Sequence, residues 1–176
     1  LVRNAFPHMA AAHYGRVILT SSISGLYGSK TTVPYGMSKA GLMGLNNVTA
    51  LEGAEFGIQS NTIIPNAMTR MADGLDTSQY PPLGPELVAP MVGWLAHEDC
   101  PVTGEHFVAG GGRMGRAYTI ESKGLWQKDW TVEQVAANAD AIRNNAEQWL
   151  FPPYPSGFMD HLGQTFAWAK EGHAAE

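Results

Sequence analysis

Two strand-like stretches, the first a continuous apolar run, separated by a long and almost uncharged helical pattern, limit what this chain can fold into. In GRVILTSS, residues 15–22, Val17, Ile18 and Leu19 stand side by side, the pattern of a parallel strand buried on both faces. It reads as a central strand. The second stretch, Ile58 to Pro65, brings Ile63 and Ile64 up to Pro65 at its carboxyl end, the edge where open α/β sheets place their ligands. Between the two, Gly25, Gly28 and Ser29 to Thr32 read as a loop. The spacing then predicts a helix from about Pro34 to Glu55, with Pro34 in its first turn and Gly57 as its C-cap. Strand, helix and strand in this order are the repeating unit of a doubly wound parallel sheet.

The residues joining the first strand to the helix also carry chemistry. Ser22 precedes Tyr35 by thirteen residues, and Lys39 follows Tyr35 by four. On a helix beginning near Pro34, Tyr35 and Lys39 stand one turn apart on one face. An ammonium beside a phenol favours the phenolate, moving a pKa that starts near ~10 towards the working range of a general acid or base. Ser22, at the end of the preceding strand, offers a hydroxyl to the same substrate oxygen that Tyr35 would protonate or deprotonate. A Tyr-x-x-x-Lys alone is usually a chance surface pair. Its joint spacing with Ser22, the glycine-punctuated loop and the strand ending at Pro65 marks a proton-handling site for a carbinol or a carbonyl.

In GRVILTSSISG, YGMSKAG and NTIIPNAMTRM the chain resembles the short-chain dehydrogenase/reductase family, roughly over residues 1–112. The resemblance implies an α/β fold, the C-terminal half of a Rossmann-type doubly wound parallel sheet. It also implies hydride transfer between a nicotinamide and a secondary alcohol or ketone, with NAD or NADP as cofactor and NAD favoured. It assigns Ser22, Tyr35 and Lys39 to catalysis, with Tyr35 and Lys39 also touching the cofactor and Lys39 on the nicotinamide ribose. Ile64, Pro65, Asn66, Met68 and Thr69 are placed along the nicotinamide, with backbone near Ile64 and Met68 and the Thr69 hydroxyl towards the carboxamide. Two positions depart from the family pattern: Asn66 stands where glycine is usual, and Thr69 follows Pro65 by four residues instead of five.

Within the family, PNAMTRM, ELVAP, WLAHEDC and the C-terminal extension are similar to the (3R)-hydroxyacyl-CoA dehydrogenase unit of peroxisomal multifunctional enzyme type 2. That resemblance implies a (3R)-hydroxyacyl-CoA as substrate and a 3-ketoacyl-CoA as product. Two other readings stay open. One is a generic family member acting on a small alcohol, ketone or steroid, and the other is a half-domain without activity of its own.

A dinucleotide-binding fold of this type needs a first strand, a glycine-rich turn and an acidic ribose-binding residue, none of which lies upstream of Ser22. The upstream cofactor-binding half is therefore expected to be missing from this sequence. Gly110, Gly111 and Gly112 follow a strand but open no helix, so they read as a loop and not as a phosphate cradle. Ala72 to Pro85 has a long-loop composition and reads as a lid over substrate. Pro85 to Glu98 has helical apolar spacing, and His106 to Ala109 reads as the last strand.

Residues 113–176 read as a mainly helical extension. Thr131 and Gln134 suggest a capping box, and Val135, Ala139, Ile142, Ala146 and Trp149 share one helical face as far as about Leu150. Phe151 to Gly157 reads as a connector and Phe158 to Lys170 as a second helix. Trp126, Trp130, Trp149 and Trp168 read as core anchors of this extension.

Composition narrows the partners. With 44% hydrophobic residues, 15% charged and a net charge of -5 over 176 residues, nothing suggests a nucleic-acid partner, and a soluble globular fold is expected. A lone Cys100 cannot form an intramolecular disulfide. The six histidines share no ligand-like spacing, so no metal is expected and each reads as a surface or satisfied core histidine. No apolar run is long enough to span a bilayer and no signal-peptide pattern opens the sequence. These features fit a cytoplasmic protein, or a peroxisomal one in a eukaryote. The uncharged stretch Ala40 to Leu51 is too long for burial on one side only, which predicts that its helix lies at the interface of a homodimer or homotetramer.

Overall fold

The computed structural model of the chain describes residues 1–70, 74, 76 and 78–174. Contacts divide it into two compact units, Leu1–Ala117 and Tyr118–Glu176. The first holds a four-stranded sheet in the order β1 (Gly15–Thr20), β2 (Ile58–Pro65), β3 (His106–Gly110), β4 (Arg113–Ala117). β1 to β3 are parallel, with Gly15 opposite Ile58 and Thr62 opposite His106, and β4 runs antiparallel to β3. No helix among the described residues is long and apolar enough to cross a membrane.

β2 shows why helices cover both faces. Ser60 donates from its hydroxyl to Asn46 Oδ1 on α3 (Val33–Gly53) at 2.8 Å, while the neighbouring Ile63 packs with Met91 and Leu95 of α4 (Ala89–Ala96). Successive strand residues point to opposite faces, so a strand covered on both sides buries both sets of side chains, and in β2 the polar Ser60, Asn61 and Thr62 are buried along with Ile58, Ile63 and Ile64. The core continues through Val88, Cys100, Phe107 and Ala109, with Trp94 edge-on to Phe107 at 5.8 Å. Within this unit helix α1 (Val2–Ala11) packs through Phe6, edge-on to Phe56 at 6.1 Å.

Several expectations change. β1 is not central in this sheet: it pairs only with β2 among the described strands, and Val17, Ile18 and Leu19 are half-buried. An apolar run reports covered faces and says nothing about how many edges are hydrogen-bonded. The loop after Ser22 contains a short helix, α2 (Ile23–Tyr27), because Ser22 adopts an extended backbone and its hydroxyl accepts from the Ser24 N–H at 3.1 Å, a helix N-cap. Gly28, at φ 75, ends it. α3 stops at Gly53, a tighter turn follows at Ala54–Phe56, and Gly57 closes it in the left-handed region. α4 is shorter than Pro85 to Glu98, since Pro85–Leu87 form a separate tight turn before it.

Gly111 and Gly112 form a two-residue turn with φ of 58 and 79, the geometry of a hairpin and not of a phosphate loop. That hairpin carries the sheet on to Ala117, five residues past the boundary read at residue 112. The lid read over Ala72 to Pro85 includes residues 72, 73, 75 and 77, which lie outside the described residues.

In the second unit, β5 (Glu121–Ser122) pairs antiparallel with β6 (Gln148–Trp149). The capping box is present: Thr131 Oγ1 accepts from the Gln134 N–H and the Thr131 N–H donates to Gln134 Oε1 at 2.8 Å. The single helix expected to reach Leu150 is instead α5 (Val132–Ala137) and α6 (Ala139–Ile142), with Trp149 on a strand. Asparagines break it. Asn138 donates from its side chain to the Gln134 carbonyl, and Asn144 Oδ1 accepts from the Ala146 N–H, both at 2.9 Å, competing with the helical ladder. α7 (Phe158–Ala174) begins where expected and continues past Lys170.

Candidate functional site

The candidate site lies at the carboxyl ends of β1 and β2, and the start of α3 is fastened to it by the end of β1. Ser21, 2% exposed, donates from its hydroxyl to the Lys39 carbonyl at 2.7 Å. Lys39 in turn donates from Nζ to the Thr20 carbonyl at 2.8 Å. α2 packs on the same turn of α3, so closely that a Cβ on Gly25 would sit 2.8 Å from the Lys39 carbonyl carbon. Gly25 is therefore a close-approach glycine as well as loop punctuation. These ties hold the turn bearing Tyr35 and Lys39, whose Nζ lies 5.7 Å from the Tyr35 ring centroid. Tyr35 is 48% exposed, so its ring is available to a ligand.

Tyr35 forms one wall of a cavity of about 570 Å³. Pro65, at the end of β2, lines it with Ala67 and Thr69 that follow, and so do Val88 and, from α4, Ala89 and Val92. The volume falls within the range of small-molecule sites, roughly 300–1,000 Å³. Pro65 and Thr69 thus meet Tyr35 at one cavity. Asn66 is held by its N–H, which donates to the Ala109 carbonyl at 2.8 Å, and Met68 donates to the Leu83 carbonyl at 2.6 Å. Ile64 is fully buried, so only its backbone could face a ligand. Ser22 is spent in part on capping α2 through the Ser24 N–H.

Sequence reading missed the fastening residues Ser21 and Gly25 and the α4 wall. The doubled serine was visible, but a hydroxyl aimed at a main-chain carbonyl eighteen residues away leaves no periodic trace. Among the described residues no group of three or more His, Cys, Asp or Glu could hold a metal ion. One histidine departs from expectation: the buried Nδ1 of His106 has no hydrogen-bond partner, and burial, reinforced by the Arg116 charge, lowers its pKa below the ordinary histidine value.

Residues 1–79 match the family model described as short chain dehydrogenase. A putative short-chain type dehydrogenase/reductase of Mycobacterium tuberculosis is 40% identical over 139 residues, covering 78% of this chain and 49% of that protein. The mouse peroxisomal multifunctional enzyme type 2 is 43% identical over 117 residues, 66% of this chain and 16% of that protein. The solved structure of the full-length Drosophila melanogaster peroxisomal multifunctional enzyme type 2 superposes with a TM-score of 0.83 at 28% identity, covering 97% of this chain and 31% of that one. The chain thus matches about half the length, or less, of these three relatives.

Proposed function

Because the chain belongs to the short-chain dehydrogenase family, a family of oxidoreductases, we propose that it carries the proton-handling and substrate-binding part of an NAD(P)-dependent dehydrogenase acting on a (3R)-hydroxyacyl-CoA. The observation that carries the reading is the cavity that Tyr35 lines together with Pro65 and Thr69, with Lys39 one helical turn along from Tyr35. Its largely apolar walls, relieved by the hydroxyls of Tyr35 and Thr69, fit a flat aromatic amide beside an alkyl-bearing carbinol. Ile64, Pro65, Asn66, Met68 and Thr69 would hold the nicotinamide end, and Lys39 the ribose. A bound nicotinamide supplies the hydride acceptor; NAD is favoured over NADP.

In this mechanism the carbinol oxygen of the substrate accepts a hydrogen bond from the Ser22 hydroxyl and passes its proton to the Tyr35 oxygen. The positive charge of Lys39 stabilises the negative charge on Tyr35 that makes it a proton acceptor. In the reducing direction Tyr35 returns the proton to the ketone oxygen as it becomes a hydroxyl. The apolar α4 wall excludes water from the same space. A second copy of the chain, as a homodimer or homotetramer, would cover the outer face of α3, where Leu45 and Val48 border a groove of about 330 Å³ against Phe6 of α1.

The test adds NADH and NADPH to this chain, alone and then joined to the segment that supplies the glycine-rich turn, and follows cofactor fluorescence. The joined protein is then given a (3R)-hydroxyacyl-CoA together with NAD+ or NADP+ as hydride acceptor. Enhancement and oxidation in the joined protein are expected. Oxidation of a small alcohol or a hydroxysteroid but of no acyl-CoA would move the assignment to a generic family member. No cofactor response in either form would leave a half-domain with no activity.

A further inference from the structure

Resting on the hydroxyacyl-CoA reading above, we infer that the flank of α4 bearing Ala89 and Val92 is the wall along which the acyl chain lies, and that these two residues set the preferred chain length. α4 reads APMVGWLA and carries no charged, hydroxyl or amide side chain. Its apolar character is more than the core requires. Met91 and Leu95 are buried in the core with Ile63 and Phe107; Val92 packs against that core and stays half-buried, and Ala89 is exposed. Three residues apart, Ala89 and Val92 share a face of the helix, and both line the cavity that Tyr35 also lines.

A continuous apolar surface leading away from a proton-transfer group suits a substrate whose reacting carbon is followed by methylenes. Each methylene buried there favours binding by roughly fourfold. Ala89 leaves room where the chain would run, so side-chain bulk at positions 89 and 92 becomes the limit on its length. A short substrate would react at Tyr35 without reaching this wall, which is why the two residues would affect chain length more than the chemical step.

The experiment compares kcat/KM for (3R)-hydroxybutyryl-CoA and (3R)-hydroxypalmitoyl-CoA in the complete protein and in its Val92→Phe, Ala89→Leu and Val92→Ala variants. Narrowing by Val92→Phe or Ala89→Leu is expected to lower the long-to-short ratio by about tenfold or more, carried by KM for the long substrate. Val92→Ala, which cannot fail by overpacking, is expected to raise the ratio or extend the accepted length. Ratios unchanged in all three variants, or equal losses on both substrates in variants with native circular dichroism, overturn the proposal. A change in oligomeric mass with an unchanged ratio also overturns it, by showing that a second copy covers this flank. Failure of the unsubstituted protein to oxidise either substrate strikes the hydroxyacyl-CoA reading itself, and the acyl occupant with it.

Discussion

Residues 1–117 and residues 118–176 are held together differently. Among the described residues every buried apolar side chain belongs to the first unit, from Ala50 and Ile58 to Phe107 and Ala109, while in the second only Gly157 is buried. The second unit relies on rings meeting edge-on, all half-buried but the exposed His173: Trp149 with Trp168 at 5.4 Å, Trp149 with Phe151 at 6.0 Å and Trp126 with His173 at 4.9 Å. Lys123 adds an exposed ion pair with Glu147 at 2.9 Å. An aromatic pair contributes about 0.5–1.5 kcal/mol beyond its area, and an exposed ion pair about 0–1 kcal/mol. A fully buried aliphatic side chain contributes about 1.5–3 kcal/mol. The rigid background needed to place Tyr35 and Lys39 therefore belongs to the first unit, which also contains the whole candidate site.

The sharpest way to separate chemistry from scaffold is Tyr35→Phe in the complete protein. It removes the transferable proton and keeps the ring, so turnover should fall by about two to four powers of ten while cofactor affinity and the thermal midpoint barely move. Near-normal turnover would remove Tyr35 from the mechanism. The next variants compare the units directly. Ile63→Ala, at a residue 2% exposed, should cost about 2–5 kcal/mol in urea unfolding, whereas Trp168→Ala should cost about 1–2 kcal/mol, being half-buried. Equal losses would erase the distinction drawn between the two units.

Gly44→Arg probes whether the exposed side of α3 is covered by a second copy. A Cβ at Gly44 meets nothing within 4 Å in the single chain, so the variant should fold normally and lower the oligomeric mass seen by light scattering. Unchanged mass with unchanged stability would place Gly44 in solvent. The smallest effect concerns His106, which stands between Thr62 and Ala117 in the sheet, beside the Arg116–Glu105 ion pair at 3.2 Å. Burial first and Arg116 second lower its folded pKa below the ordinary value of 6.5. The folded state thus binds its proton less readily than the unfolded chain. The stability linked to neutral His106 is complete above about pH 6.5 and is lost as pH falls below it towards the lowered folded value. His106→Gln should flatten the fall in urea midpoint between about pH 7 and pH 5; an identical slope would assign that fall to other groups.

How much was legible follows from how local each cause is. The capping box at Thr131 and Gln134, the left-handed close at Gly57 and the glycine loop after β3 all depend on residues within a few positions of one another, and all are found, although β3 was read as the last strand and the loop turns a hairpin into β4. The continuous helix to Leu150 failed because Asn138 and Asn144 compete for the backbone, a preference that apolar periodicity does not register. Helix α2 was hidden because its cap, Ser22, was read only for its hydroxyl chemistry.

By itself the sequence determined the strand, helix and strand succession, the one-turn spacing of Tyr35 and Lys39, and the placing of Pro65 at a strand's carboxyl end, because each is set by local periodicity and by the intrinsic backbone limits of glycine and proline. Only the tertiary structure decided that β1 is an edge of this sheet, that β4 extends it past residue 112, and that Ser21 and Gly25 hold the turn of α3 carrying Lys39. It alone brought Ala89 and Val92 to the cavity that Tyr35 lines. These are contacts between residues far apart in the chain, and their energy depends on which surfaces the fold presses together, a quantity that no local pattern of residues encodes.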